Sequence, residues 1–287
     1  MDLIIAHGSC SDGFTAAWAV RKKFPTAEVV FAVHGEAPPD VVGKDVVIVD
    51  FAYPRKVTEE LKVKSKSLLI LDHHKSAMED LAGLDYCYFD LTRSGAKIAW
   101  EHFHPGEACA LVDYVSDQDL WKFALPYSKE TNAFIQSFER TWDNWETLQR
   151  LVEDSKCHQD IINGGNSILR YQEQLIQEAI RSAREVSIPN YHSGFFGWFW
   201  NIFDPLPSYN VLVTNTLGDF RSEVASRLAM GRPFGICWRQ LTDGRFAYSL
   251  RTHKDSPWIA DLTQVAKQFG GGGHPSAAAF TSRKLIF

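Results

Sequence analysis

Asp72-His73-His74 stands directly after the apolar run Leu68-Leu69-Ile70-Leu71. A carboxylate followed by two imidazoles offers oxygen and nitrogen donors together, the usual makings of a divalent-metal site. The pattern recurs. Leu3-Ile4-Ile5-Ala6 runs into His7, with Asp12-Gly13 shortly after, and Val46-Val47-Ile48-Val49 runs into Asp50. Ala110–Val115 runs into Ser116-Asp117-Gln118-Asp119, although that apolar stretch reads equally well as helix. A polar turn after a core strand is the ordinary explanation for one such run. Three strand-like runs that each end in Asp or His instead point to strand tips converging on one metal centre. Aspartate suits a hard cation, and imidazole widens the choice to manganese, iron, cobalt or zinc.

The elements that must position these donors follow from the pattern between them. Four aliphatic residues in a row predict a strand buried on both faces, as in a parallel sheet. Such strands deliver their next residues to the carboxyl edge, where open α/β folds place their sites. Helical stretches over Gly13–Lys23, opened by Pro54 and Thr58 through Lys64, and over Thr92–Phe103 separate strands at 3–6, 28–33, 46–49 and 68–71. Single helices between strands predict parallel pairing through right-handed crossovers. From about Thr131 to Glu185 the chain reads as a helical spacer, with Gly164-Gly165 a candidate interruption. A boundary at Ser187-Ile188-Pro189-Asn190 divides a domain of residues 1–186 from a smaller one of residues 187–287. The second begins with Phe195-Phe196-Gly197-Trp198-Phe199-Trp200, a strand or hairpin better suited to core, domain interface or dimer contact than to base stacking. Strands near 209–214, 234–240 and 245–251 and helices at 220–230 and 258–268 complete a small α/β domain.

The set His7, Asp12-Gly13, Asp50, Asp72-His73-His74 and Asp117 resembles the four motifs of the DHH phosphoesterase superfamily. Near the other end, Phe269-Gly270-Gly271-Gly272-Gly273-His274-Pro275-Ser276-Ala277-Ala278 resembles the glycine-rich signature of the DHH-associated C-terminal domain. Motif order and spacing agree across nearly the whole chain, least between about Thr131 and Val211. The resemblance implies an α/β fold in which a mainly parallel-sheet, metal-binding catalytic domain joins a smaller α/β substrate-binding domain through a helical spacer. It implies one metal position formed by Asp12, Asp50, His73 and Asp117, and a second that takes His7 and Asp50, with Asp50 bridging. Manganese is the expected ion. Chemistry alone does not separate Asp117 from Asp119; the family pattern favours Asp117. His74 is a candidate to contact phosphate or to help protonate the leaving oxygen, beside the alternative of a structural histidine bonded to backbone.

Arg251 resembles the family's substrate-contacting arginine, and its fork suits a terminal phosphate. Gly271, Gly272 and Gly273 let backbone amides approach phosphate oxygens, in a loop expected to lead past His274 into a helix N-terminus. Arg93 and Ser94 are weaker phosphate-contact candidates. The chain departs from the family at His7-Gly8-Ser9-Cys10-Ser11-Asp12, where Cys10 occupies the place of a first aspartate. Either the second metal position is short of a ligand, or Cys10 binds as thiolate and shifts preference toward zinc or iron.

Composition bounds the partners. At 287 residues the chain has room for two domains, and a net charge of −5 argues against a broad basic face for duplex nucleic acid. No apolar run approaches a membrane span, and no signal-peptide pattern follows Met1. Five scattered cysteines without a C-x-x-C pair fit free thiols in a reducing compartment, so a cytoplasmic protein is expected. The resemblance implies hydrolysis of short oligoribonucleotides or linear dinucleotides to mononucleotides, as in oligoribonuclease and exonuclease relatives. A phosphatase or pyrophosphatase acting on small nucleotides or polyphosphate is the alternative enzyme. A nucleotide-binding protein that lost catalysis through Cys10 is the alternative outside catalysis. A homodimer would be unsurprising.

Overall fold

The computed structural model describes residues 1–8, 10–33, 35–188, 208–216, 220–256 and 261–287. They form two compact units, Met1–Leu169 and Arg170–Phe287. The first unit begins β1 (Leu3–His7), α1 (Ser11–Lys23), β2 (Glu28–Ala32), β3 (Asp45–Val49), α2 (Arg55–Lys64) and β4 (Ser67–Asp72). It continues with α3 (Lys75–Asp80), β5 (Cys87–Phe89), α4 (Gly95–Phe103), α5 (Ala110–Asp119), α6 (Ser128–Gln136) and α7 (Trp142–Glu153). The division between units falls inside α8 (His158–Arg181).

The five strands of the first sheet lie in the order β2-β1-β3-β4-β5, and every neighbouring pair is parallel. Ala6 pairs with Val49, and Val49 with Leu71. His7, Asp50 and Asp72 therefore leave the sheet side by side along its carboxyl edge. Strand alternation divides the aliphatic runs between two cores. Ile4, Ala6, Val47, Val49 and Leu71 join a cluster with residues of α1, α4, α5 and α7. Leu3, Ile5, Val46, Ile48, Leu68 and Ile70 join Leu61 of α2 on the other face.

The ambiguous run at Ala110–Val115 is helical, with Leu111, Val112 and Val115 buried along one face of α5. Gly164-Gly165 does not interrupt α8. A Cβ on Gly165 would lie 2.0 Å from the carbonyl oxygen of Glu130, so this glycine lets α6 and α8 approach backbone to backbone.

The second unit contains β6 (Arg184–Ile188), β7 (Tyr209–Asn215), α9 (Arg221–Leu228), β8 (Gly235–Gln240), β9 (Phe246–Arg251), α10 (Leu262–Lys267), β10 (Gly272–His274) and β11 (Ala277–Ser282). Its six strands run β10-β11-β9-β8-β7-β6. Only β7 and β8 pair in parallel among them. Ser187, where the sequence suggests a domain boundary, is a paired residue of β6. The segment after the glycines is strand rather than helix. Ala278 and Phe280 are buried at a spacing of two and face the core that Tyr248 and Leu250 of β9 also fill. The aromatic segment Phe195–Trp200 lies outside the described residues. Among the described residues no helix is long and apolar enough to cross a membrane.

Candidate metal centre

Two sets of donor atoms meet at the carboxyl edge of the first sheet, Asp12, His73 and Asp119 in one and His7, Cys10 and Asp50 in the other, and Asp50 also reaches His73 of the first. In one set His73 Nε2 lies 3.1 Å from Asp50 Oδ1, 3.6 Å from Asp119 Oδ2 and 3.9 Å from Asp12 Oδ2. In the other, His7 Nδ1 lies 3.2 Å from Cys10 Sγ and 3.7 Å from Asp50 Oδ2, with Sγ to Oδ2 at 3.4 Å. Asp50 thus turns one carboxylate oxygen to each set, the geometry of a bridging ligand. Asp50 stands just past β3 with a left-handed backbone, φ 53°. Aspartate tolerates that conformation better than most side chains. A Cβ on Gly95 would fall 2.4 Å from the Cβ of Asp50, so the start of α4 presses on this turn and holds it.

Asp12 and Asp50 are each only 2 % exposed, yet Asp12 Oδ2 and Asp50 Oδ1 accept no hydrogen bond. Buried carboxylate oxygens without partners are costly and call for an explanation such as a bound ion. The surrounding charges sharpen the point. Burial, Asp50 and Asp119 push the Asp12 carboxyl well above its ordinary range, although it accepts from the Ala96 N–H at 3.1 Å. Burial likewise acts against ionised Asp50, but the His7 and His73 imidazoles outweigh it and hold its carboxyl well below the usual range. Asp119 is pushed up to about 6 by desolvation and by the Asp50 charge. Three carboxylates facing two imidazoles fit divalent cations. The three-way mixture of imidazole, thiol and carboxylate, 3.2 to 3.7 Å apart, matches the edges of a tetrahedron with bonds of about 2.0–2.3 Å.

Cys10 also caps α1, its Sγ accepting from Gly13 N at 3.3 Å. Burial, Asp50 and Asp12 raise its pKa, so without a cation it is a neutral thiol that donates to Asp50. A cation seated between His7 and Asp50 would displace that proton.

Of the two aspartates at the end of α5, the structure brings Asp119, not Asp117, to His73. Residues two apart on a helix point about 200° apart, so both cannot face one centre. Asp117 instead holds the loop that follows. It accepts from Ala124 N at 3.0 Å, from Leu125 N at 3.2 Å and from the Ser128 hydroxyl at 2.5 Å. That loop carries left-handed residues at Trp121 (φ 55°), Phe123 (φ 48°) and Tyr127 (φ 52°). Each costs about 1–2 kcal/mol, and the bonds to Asp117 offset part of it.

His74 is bonded to a side chain rather than to backbone, its Nδ1 standing 2.7 Å from Asp72 Oδ1. Burial works against the charged ring, yet the Asp72 carboxylate prevails and raises its pKa to about 9. The same Asp72 oxygen accepts from His73 N at 2.8 Å. Asp72 therefore holds the His74 ring and the His73 backbone. Neither Asp72 nor Asp119 stands in the ligand set expected from the sequence. The i, i+4 spacing of Val115 and Asp119 would have singled out Asp119 once α5 was known to be a helix.

The remaining candidates separate. Arg93 is tied to Asp90 at 2.7 Å and to Glu101, so its charge is neutralised within the chain. Ser94 is fully buried and caps α4 by accepting from Lys97 N. In the second unit, Arg251 donates to the Ser222 hydroxyl and the Leu250 carbonyl, both at 2.8 Å. No carboxylate among the described residues pairs with it, and burial and Arg221 lower its pKa. Gly270 (φ 75°) follows α10, where Gly270 N and Gly271 N bond back to Lys267 and Ala266. A Cβ on Gly271 would lie 2.2 Å from the Ala279 oxygen, and one on Gly273 2.5 Å from the Ala277 oxygen. Gly272 alone has open space around it and an ordinary φ. His274 is exposed at the end of β10.

No protein-family model matches the chain. It is 28% identical over 303 residues to an uncharacterized protein of Acanthamoeba polyphaga mimivirus; the match covers 97% of this chain and 66% of that protein, so the chain spans just under two thirds of its length. Among solved structures, an uncharacterized protein from Helicobacter pylori is similar at a TM-score of 0.46 and 15% identity, covering 99% of this chain and 94% of that one. A pGpG-specific phosphodiesterase from Vibrio cholerae is similar at a TM-score of 0.46 and 12% identity, covering 98% and 92%. An exopolyphosphatase-related protein from Bacteroides fragilis is similar at a TM-score of 0.46 and 11% identity, covering 99% and 87%.

Proposed function

We propose that this chain is a divalent-metal-dependent phosphoesterase that cleaves the phosphodiester bonds of short oligonucleotides or linear dinucleotides to mononucleotides. The observation that carries the reading is the pair of donor sets sharing Asp50, with the buried oxygens of Asp12 and Asp50 lacking any other partner. Bound there, metal ions would supply positive charge for the phosphate oxygens and a nucleophile active near neutral pH.

The chain's own residues do the rest. Asp50 fixes the spacing of the two sets, and His73, Asp12 and Asp119 complete the first. Asp72 holds Nδ1 of His74, which leaves Nε2 to meet substrate. A ring charged at neutral pH favours contact with a phosphate oxygen. Cations beside it would lower its pKa toward the range where it also delivers a proton to the leaving oxygen. Arg251, Gly272 and His274 form the proposed substrate-binding group of the second unit, a buried guanidinium with an open glycine suiting a terminal phosphate. Manganese suits the oxygen-rich set, whereas His7, Cys10 and Asp50 favour zinc or ferrous iron.

The test is hydrolysis of a 5′-labelled series of two- to seven-nucleotide RNAs with manganese, beside His73→Ala. Stepwise shortening that vanishes in His73→Ala is expected. One observation favours a second reading, since Cys10 replaces a hard ligand. Tight binding of the same RNAs with no cleavage under manganese, zinc or iron would replace the enzyme with a nucleotide-binding protein.

A further inference from the structure

We propose that Trp121 is a stacking platform for a nucleobase of the substrate, beside the metal centre; the inference rests on the phosphodiesterase reading above. Trp121 stands two residues beyond Asp119, whose carboxylate lies 3.6 Å from His73 Nε2. It is 60 % exposed. A single exposed hydrophobic residue ordinarily needs no explanation. Here the chain works to present it. Trp121, Phe123 and Tyr127 are all aromatic and all left-handed, a conformation that bulky side chains avoid. The loop is nevertheless pinned, from below by the three bonds to Asp117 and from the side by Lys122 Nζ on the Thr92 carbonyl oxygen at 3.2 Å. Strain held by an over-determined framework is characteristic of functional loops.

The exposed ring is also supported. Trp121 meets Phe123 edge to face with centroids 4.9 Å apart, and Lys129 Nζ sits 5.2 Å from the centre of the Phe123 ring. An exposed π surface two residues from Asp119, backed by the Phe123 ring and with ammonium groups of Lys122 and Lys129 on the same loop and the helix after it, suits a base attached to a phosphate. Stacking of this kind accepts any base, because every base has a π face. It would also make the enzyme favour nucleotides over polyphosphate, which has no ring to stack.

The experiment compares wild type, Trp121→Ala and Trp121→Phe on a dinucleotide and on the abasic analogue with the same phosphodiester. Turnover is measured with manganese, and binding by calorimetry with calcium in its place. Trp121→Ala is expected to weaken dinucleotide binding about 10-fold and to lower the dinucleotide-to-abasic ratio of kcat/KM by a similar factor, with Trp121→Phe recovering most of both. An unchanged dinucleotide Kd, or an equal loss on both substrates, would overturn the proposal. So would a Trp121→Ala defect seen only as a change in the protein's own association state. Wild type that binds the dinucleotide without cleaving it defeats the catalytic reading alone, and the calorimetric comparison still decides the platform.

Discussion

The carboxyl edge of the first sheet and the glycine hairpin of the C-terminal unit are alike as sequence, each a dense cluster of residues associated with ligands, and they differ once folded. At the sheet edge, folding leaves Asp12 Oδ2 and Asp50 Oδ1 buried without a hydrogen bond, with His73 Nε2 3.9 and 3.1 Å away. At the hairpin, folding itself accounts for most of the glycines. Gly270 and Gly271 bond back to the end of α10, and Gly271 and Gly273 stand where a Cβ would strike β11. What points to a ligand is the need that remains after the chain has satisfied itself. By that measure the aspartates point to a ligand, whereas Gly272 is simply the one glycine of the run that neither close packing nor a positive φ accounts for.

The hardest test of the comparison is Asp50→Asn, which keeps the shape and tolerates the left-handed backbone while removing the charge shared by both donor sets. Cleavage should fall about 1,000-fold or more, beyond the 10- to 100-fold typical of residues that only support a ligand, with circular dichroism unchanged. Activity within a few-fold of wild type would remove Asp50 from the centre. Next in size, Asp119→Asn should lower cleavage about 100-fold and leave Tm near wild type, whereas Asp117→Asn should act on stability, by about 1–3 kcal/mol. The Ser128 hydroxyl and the Ala124 and Leu125 amides overcome burial and lower the folded-state pKa of Asp117. Its ionised form therefore contributes in full above the unfolded value near 4 and loses its contribution as pH falls through the folded value. The Tm gap between wild type and Asp117→Asn should accordingly narrow below about pH 4. If Asp117→Asn is the variant that abolishes cleavage at full stability, the assignment of the two aspartates is reversed.

Within the hairpin, Gly271→Ala should destabilise by about 1–3 kcal/mol through overpacking. Gly272→Ala should stay within about 0.5 kcal/mol of wild type in stability and raise KM for a dinucleotide. Equal loss of stability in both would erase the distinction drawn between them. The smallest effect is expected at Cys10→Asp, a several-fold gain in manganese affinity read by titration. A cobalt-loaded wild type should show a thiolate charge-transfer band that Cys10→Asp lacks. Absence of both changes would leave Cys10 as a cap on α1 alone.

The strands that lead to His7, Asp50 and Asp72 were legible because four aliphatic residues in a row leave little room for another element. Ala110–Val115 was not, since an unbroken apolar run carries no period to tell helix from strand. That ambiguity is why Asp117 and Asp119 could not be separated by sequence. On a strand, two residues apart means the same face; on α5 it means nearly opposite faces. Asp72 was hidden for a different reason. Its partners are its own neighbours His73 and His74, and only a fixed backbone shows that one carboxylate oxygen meets the backbone of the first and the ring of the second. After the glycines, small helix-forming alanines suggested a helix, but pairing of β11 with β9 overrode propensity and put Ala278 and Phe280 into a core.

Asp12, Asp50 and Asp119 converge from three separate stretches of the first unit, so folding gathers like charges that the unfolded chain keeps apart. On the proposed reading, a divalent cation binds only the assembled arrangement and thus acts as a folding ligand as well as a reagent. At a free concentration 100 times its dissociation constant it would add about 2.7 kcal/mol to the unfolding free energy. The melting temperature of this protein then becomes a gauge of cation activity, rising on titration with manganese and falling back with chelator, in the complete absence of any nucleotide.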